Sequence, residues 1–214
     1  MNRKFVITAG PTREYLDPVR FLSNPSTGKM GFAIARAAAA NGFEVTLVAG
    51  PVSLKTPKGV KRVDVVSARD MLAAVEAEIA GAGDVTVIGV AAVADWRPEE
   101  CAERKLKKNE MSGILKLVRN PDILKTLNEN RKAGLKLVGF AAETDDLERE
   151  AVRKCREKGL EFIVANDVTM AGCGFGTDTN RATVFRSNGS VERLPMMSKI
   201  ALARRIIRMC NDVN

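Results

Sequence analysis

The chain has 214 residues, with 34 Lys and Arg against 26 Asp and Glu, for a formal net charge of +8. Hydrophobic residues make up 45% and charged residues 28%, the balance of a globular protein able to bury roughly 70% of its unfolded surface. There is no His, which excludes Ser-His-Asp and Cys-His nucleophiles, imidazole acid–base chemistry and His-ligated metals.

No run of about 18 apolar residues exists, so no membrane span is expected. Met1–Lys4 leads straight into a strand-like segment without the apolar stretch of a signal peptide. Cys101, Cys155, Cys173 and Cys210 form no CxxC pair, so reduced thiols in a cytoplasmic protein are expected rather than zinc or dithiol chemistry. The positive charge suits small anionic substrates, nucleic acid or simply a solvated basic surface. No aromatic-interleaved basic stripe accompanies it, so no nucleic-acid partner is expected.

Taken in chain order, residues 4–10 read as a buried first strand ending in Gly10. A long polar loop, 11–27, follows, and then the Ala-rich run 28–41 predicts a helix stopped by Gly42. Residues 44–50 and 60–66 read as second and third strands, and Ser67 as the cap of a helix over 68–80. The near-continuous apolar run 84–92 suits a central parallel strand covered on both faces. A second long, charged loop spans 93–113. Pro121 is placed for the first turn of the next helix. Residues 135–142 and 161–166 read as fifth and sixth strands around an amphipathic helix, 145–158. Asn188-Gly189 between 182–186 and 190–194 signals a hairpin. A basic helix runs from about Ser198 to Cys210, whose Lys199, Arg204, Arg205 and Arg208 read as a surface or, in the alternative of a nucleic-acid-binding module, as its basic face.

Alternating strands and helices predict an α/β, three-layer Rossmann-like parallel sheet with a C-terminal β-hairpin extension. The whole chain, 1–214, reads as one domain, with 171–196 as the hairpin extension. Both long loops follow C-terminal strand ends, the edge where open α/β sheets bind ligands.

Two familiar phosphate motifs fail. A dinucleotide fingerprint belongs directly after the first strand, but the segment 11–27 separates Gly10 from the Gly28-Lys29-Met30-Gly31 turn. A Walker loop needs Gly where Ser23 stands, and Ser or Thr where Met30 stands. A short-chain oxidoreductase needs Tyr-x-x-x-Lys, but the only Tyr, Tyr15, is followed by Val19 at that spacing. An anion site remains: Ser26, Thr27 and Gly28 open a strong helix whose free N–H groups and dipole face the loop, with Arg20, Asn24 and Lys29 alongside. In the second loop, Asp95, Lys105, Lys107 and Lys108 suit a nucleoside triphosphate, with Asp95 able to hold Mg2+ or accept from a base or sugar.

The segments VITAGPTREYLDPVRFLSNPSTGKMGFAIA, AAVADWRP, KLKK, RNPDIL, VGFAAET and ANDV, in this order, closely resemble the bacterial phosphopantothenate–cysteine ligase family of coenzyme A biosynthesis. As the resemblance implies, the carboxylate of 4′-phosphopantothenate attacks the α-phosphate of CTP, and cysteine then displaces CMP from the acyl-cytidylate; an ATP-dependent ligase of the same type is the alternative. Mg2+ would accompany CTP; FMN belongs to a decarboxylase to which such domains are often fused, and is not expected here. The resemblance also implies that 1–214 is a nucleotide-binding ligase domain and that its hairpin extension, 171–196, pairs across a dimer. A homodimer, and a separate decarboxylase as partner, are further expectations.

The resemblance assigns Asn24 and Arg20 to the acyl-cytidylate and its conversion, and Lys105 to a flap that covers the intermediate, assists the cysteine step and also reaches the nucleotide. Ala92 lines the intermediate pocket. Gly10, Gly89, Ala91, Ala92, Asp95, Pro121, Asp122, Ile123, Leu124 and Phe140 form the nucleotide site, with Lys154 and Lys158 facing phosphates. Ser26, Thr27, Gly28 and Lys29 are the substrate-binding set, and no metal ligand is assigned. Many relatives have His where Pro25 stands, and Tyr where Trp96 stands; neither position carries assigned chemistry.

Overall fold

The computed structural model describes residues 3–110, 113–143, 147–167, 174 and 176–212. The first half contains β1 (Lys4–Ala9), β2 (Arg13–Tyr15), β3 (Phe21–Ser23), α1 (Lys29–Ala40), β4 (Glu44–Ala49), β5 (Lys61–Asp64), α2 (Ala68–Ile79) and β6 (Val85–Gly89). The middle contains β7 (Trp96–Pro98), β8 (Leu117–Arg119), α3 (Ile123–Glu129), β9 (Leu135–Glu143), α4 (Leu147–Glu157) and β10 (Phe162–Asp167). The chain continues with β11 (Thr179–Asn180), β12 (Ala182–Arg186), β13 (Val191–Arg193), β14 (Met197–Ser198) and α5 (Lys199–Asp212).

Side chains alternate across the strands and so divide the core between two faces. On one face, Phe5 and Ile7 of β1, with Phe162 and Val164 of β10, pack against Ile34, Ala35 and Ala38 of α1 and Leu202 and Ile206 of α5. On the other, Val6, Val87, Leu137 and Ile163 meet Met71 and Val75 of α2, Leu127 of α3 and Ala151 of α4. Each large apolar side chain buried in this way contributes roughly 1.5–3 kcal/mol.

The sheet order is β13-β12-β10-β9-β6-β1-β4-β5, with the six strands from β10 to β5 mutually parallel. Chain direction therefore reverses its progress across the sheet between β1 and β6. That reversal leaves a crevice beyond their C-terminal ends. β12 pairs antiparallel with β10 and β13 with β12, so the hairpin lengthens the main sheet instead of standing away from it. Residues 171–173 and 175 of the expected extension lie outside the described residues.

The two loops contain more order than expected. β2 pairs with β3, and β7 with β8, as short antiparallel ribbons. Pro121 lies before the helix, not in its first turn, because Asp122 is the cap and accepts a hydrogen bond from Lys125 N at 3.2 Å. Ser67 does cap α2, in a reciprocal box with Asp70. The buried Glu14 of β2 also accepts from Ala68 N at 2.9 Å, placing a carboxylate at the positive end of that helix.

Candidate active site

Three segments are stitched together at the crevice. Thr8 Oγ1 on β1 accepts from Val90 N and Ala91 N, both at 3.1 Å, and Ala92 N donates to Gly10 O at 2.9 Å. Residues 90–94 are thus held beside residues 10–12, where Thr12 Oγ1 accepts from Ala94 N at 3.0 Å. Asn24 then reaches across, its Nδ2 donating to Ala92 O and Val93 O at 3.2 Å. Asn120 closes the third side, with Nδ2 donating to Ala94 O at 2.8 Å and its backbone N to Asp95 O at 2.8 Å.

The resulting cleft has a volume of about 450 Å3, in the range of small-ligand sites. α1 points its N-terminus into it. Gly28 caps that helix at φ +77°, a left-handed conformation that favours glycine, and no side chain among the described residues caps it. One turn on, α1 lies so close to β1 that a Cβ on Gly31 would sit 2.6 Å from Ala9 Cβ. The first-turn N–H groups therefore remain available to an anion, at a fixed distance from the sheet edge.

Cationic groups flank this end. Lys29 Nζ bonds Asp178 Oδ1 at 2.7 Å and Gly176 O at 2.9 Å, and its ammonium holds the Asp178 carboxyl below the usual range. Lys158 Nζ lies 2.9 Å from Asp122 Oδ2. A polyanion entering the cleft competes with these two carboxylates for the ammonium groups. Asp95 is an exposed carboxylate on the wall and makes no ion pair among the described residues. Among those residues no group of three or more His, Cys, Asp or Glu forms a metal cage. Asp95 with ligand phosphates nevertheless fits the usual way of holding Mg2+, through one or two carboxylates plus phosphate oxygens.

Of the residues singled out in the sequence, Asn24, Ser26, Thr27, Gly28, Lys29, Gly89, Ala91, Ala92, Asp95, Pro121, Asp122, Ile123, Leu124, Phe140 and Lys158 line this one cleft. Four do not. Gly10 sits behind Gly28, its backbone tied to Ala92. Lys154 is on α4, outside the wall, although the bond from Lys158 N to Lys154 O keeps the pair one helical turn apart. Arg20 and Lys105 lie outside the wall, on the β2–β3 turn and in the strap facing it; Arg20 Nη2 is held by Asp17 Oδ2 at 2.6 Å and by the carbonyl of Leu106, the residue after Lys105, at 2.8 Å.

Other wall residues went unassigned. Thr8, Asn120, Asn166, Asn180 and Lys199 all line the cleft. Asn166 follows the pattern of a polar residue ending an apolar strand, a signal present in the sequence. Lys199, read with Arg204, Arg205 and Arg208 as part of a basic helix surface, is instead 7% exposed. Its Nζ donates to Thr177 O at 2.6 Å, Thr179 O at 3.1 Å and Asn180 Oδ1 at 2.8 Å. The three arginines are exposed.

Residues 1–213 match the family described as DNA/pantothenate metabolism flavoprotein, C-terminal domain. The chain belongs to that family. It is 50% identical over 208 residues to the coenzyme A biosynthesis bifunctional protein CoaBC of Bacillus subtilis, covering 97% of this chain and 50% of that protein. Against CoaBC of Escherichia coli K12 it is 46% identical over 210 residues, covering 95% of this chain and 51% of the relative. The chain thus spans about half the length of these curated relatives. The crystal structure of a CoaBC C-terminal domain superposes with a TM-score of 0.82 at 43% identity, covering 99% of this chain and 94% of that one. A Cab2 mutant in complex with phosphopantothenate-cysteine shares the fold, with a TM-score of 0.80 at 16% identity, covering 99% of this chain and 87% of that one.

Two further features bear on chemistry. Cys101, Cys155 and Cys210 are free thiols; burial pushes the Cys155 thiol up and that of Cys210 to about 12, which suits packing rather than nucleophilic use. Cys173 lies outside the described residues. Among the described residues no helix is long and apolar enough to cross a membrane.

Proposed function

We propose that this chain is a phosphopantothenate–cysteine ligase that uses CTP. The observation that carries the reading is the convergence of Asn24, Asp95, Phe140 and the open N-terminus of α1 on one cleft at the sheet's reversal point, in a chain whose relatives are CoaBC proteins. In the first step a carboxylate oxygen of 4′-phosphopantothenate bonds the α-phosphorus, and the bond to the bridging oxygen breaks, releasing pyrophosphate. In the second, the cysteine amine bonds the acyl carbon, CMP leaves and the amine loses a proton.

The barrier to the first step is the mutual repulsion of anions. The N–H groups of α1, Lys29 and Lys158 relieve it without acid–base chemistry, in keeping with a chain that has no His. Asp95 would hold Mg2+ against the phosphates, and the ion supplies charge neutralisation. Flavin has no part in the proposal, because neither step is a redox reaction. Asn24, by fixing the carbonyls of Ala92 and Val93, shapes the floor on which the intermediate lies.

We keep the homodimer as part of this reading. Val19, Phe21, Trp96, Leu115 and Leu117 are exposed large apolar side chains on or beside the two ribbons, a surface that a second copy would cover, and their exposure supports it. The hairpin edge is a poorer seam: β13 has three residues, and its Glu192 is paired with Arg186 and Arg205. A monomer by light scattering at high concentration counts against the dimer.

The test is pyrophosphate release from 4′-phosphopantothenate with CTP or ATP, with and without cysteine. CTP-dependent release, and amide formation only when cysteine is present, are expected. Release with ATP alone removes the nucleotide assignment; no release with either removes the ligase.

A further inference from the structure

Asp17 has no assigned role, yet among the described residues it is the most heavily engaged carboxylate outside the cleft. It lies in the turn between β2 and β3 and is fully buried. Oδ1 accepts from Val19 N and Arg20 N, both at 2.9 Å, which sets the turn. Oδ2 accepts from Arg20 Nε at 3.0 Å, from Arg20 Nη2 at 2.6 Å and from Leu106 N at 3.1 Å. Arg20 Nη2 also donates to Leu106 O at 2.8 Å, so one carboxylate and one guanidinium grip both ends of the same residue. A third tie runs from Ala102 N to Leu16 O at 2.8 Å.

Leu106 follows Lys105 directly, in a strap whose side chains are otherwise largely exposed. A turn that needed only local capping would use Oδ1 and leave Oδ2 to solvent. Here Oδ2 is spent on a backbone far away in sequence. The Arg20 guanidinium holds the Asp17 carboxyl well below the usual carboxylate range, so the charge that makes the grip is present at any working pH.

We infer that Asp17 is a positioning residue that joins Arg20 and the Lys105 strap into one unit for the cysteine step. This rests on the ligase reading above. The unit lies outside the cleft wall, so removing the carboxylate leaves nucleotide binding and pyrophosphate release intact. It releases Arg20 and the strap from one another and slows capture of the activated acyl group.

The experiment compares Asp17→Asn, Lys105→Gln and the double variant, following pyrophosphate and amide separately. Leu106→Pro, which deletes the strap N–H but spares the Asp17 turn, covers the case in which Asp17→Asn does not fold. Asp17→Asn, or Leu106→Pro in its place, is expected to keep pyrophosphate release within about 2-fold of wild type and slow amide formation at least ~10-fold, while Asp17→Asn adds less than about 2-fold to Lys105→Gln. Limited trypsinolysis after Lys105 and Lys107 should accelerate in Asp17→Asn, a readout independent of turnover. Unchanged amide formation, parallel loss of both steps, or multiplying effects in the double variant overturns the inference. If wild type releases no pyrophosphate, the ligase reading fails and takes the catalytic role of the unit with it, while the trypsin comparison still decides whether Asp17 tethers the strap.

Discussion

At the scale of single residues, Asn24 is where structure and proposed chemistry meet. Its amide donates to two carbonyls at 3.2 Å that belong to the segment after β6. Asn24→Asp replaces those donors with a carboxylate facing two carbonyl oxygens. Leaving such groups unsatisfied costs about 1–3 kcal/mol. The expected result is a lowered urea midpoint and loss of at least ~10-fold in amide formation, about the rate factor of 1.4 kcal/mol. Unchanged values of both would show that the two contacts carry no weight. Asn24 and Asp95 were legible because each is a polar residue in a loop just beyond a strand end. Lys199 was not: four basic residues in one helical segment look alike, and only the segment 177–180, folded against the start of α5, encloses one of them.

Among the elements, α1 and the ribbons make opposite cases. α1 was visible from its alanines and the glycine after it, because local propensity and tertiary packing agree there. Its approach to β1 depends on Gly31. Gly31→Ala brings a Cβ to 2.6 Å from Ala9 Cβ and 2.9 Å from Thr8 O. Overpacking of this kind costs about 1–3 kcal/mol, and the helix end that faces the cleft moves with it. A lowered urea midpoint together with weaker nucleotide binding is expected; weaker stability with unchanged binding would separate the helix from the site. The ribbons β2–β3 and β7–β8 were missed because three-residue strands have too little period to read. Their pairing is fixed by distant partners instead, such as Glu14 on the N-terminus of α2 and Arg97 donating to the carbonyl of Arg119. The same holds for Arg20 and Lys105, whose motifs were plain but whose connection runs through Leu106, bonded to both Arg20 and Asp17.

For the whole molecule, the alternation of strands and helices gave the layers, whereas the strand order came only from pairing. Sheet order decides where the cleft lies, and the sequence could locate it no better than the strand ends. The excess of positive charge makes individual acidic anchors matter. Glu78 accepts from Lys4 at 3.0 Å, Lys61 at 2.7 Å and Thr46 at 3.0 Å, joining α2 to the sheet edge. Burial alone would raise its pKa, but the hydrogen bonds from Lys61, Lys4 and Thr46 outweigh it and lower the value from 4.5 to about 2. A depressed carboxylate pKa means stability that is present above the unfolded value and lost as pH falls through the folded one. The melting temperature of wild type should therefore fall more steeply than that of Glu78→Gln between pH 4.5 and about 2. Equal slopes would show that Glu78 contributes no such linkage.

The most direct measurement for the molecule as a whole is a crystal structure with CTP and Mg2+ bound. The triphosphate is expected at the N-terminus of α1 beside Asn24 and Lys29, with the base against Pro121–Leu124 and Phe140. Nucleotide lodged outside the cleft between β1 and β6, away from Asn24, Asp95 and Phe140, would contradict the assignment of this site.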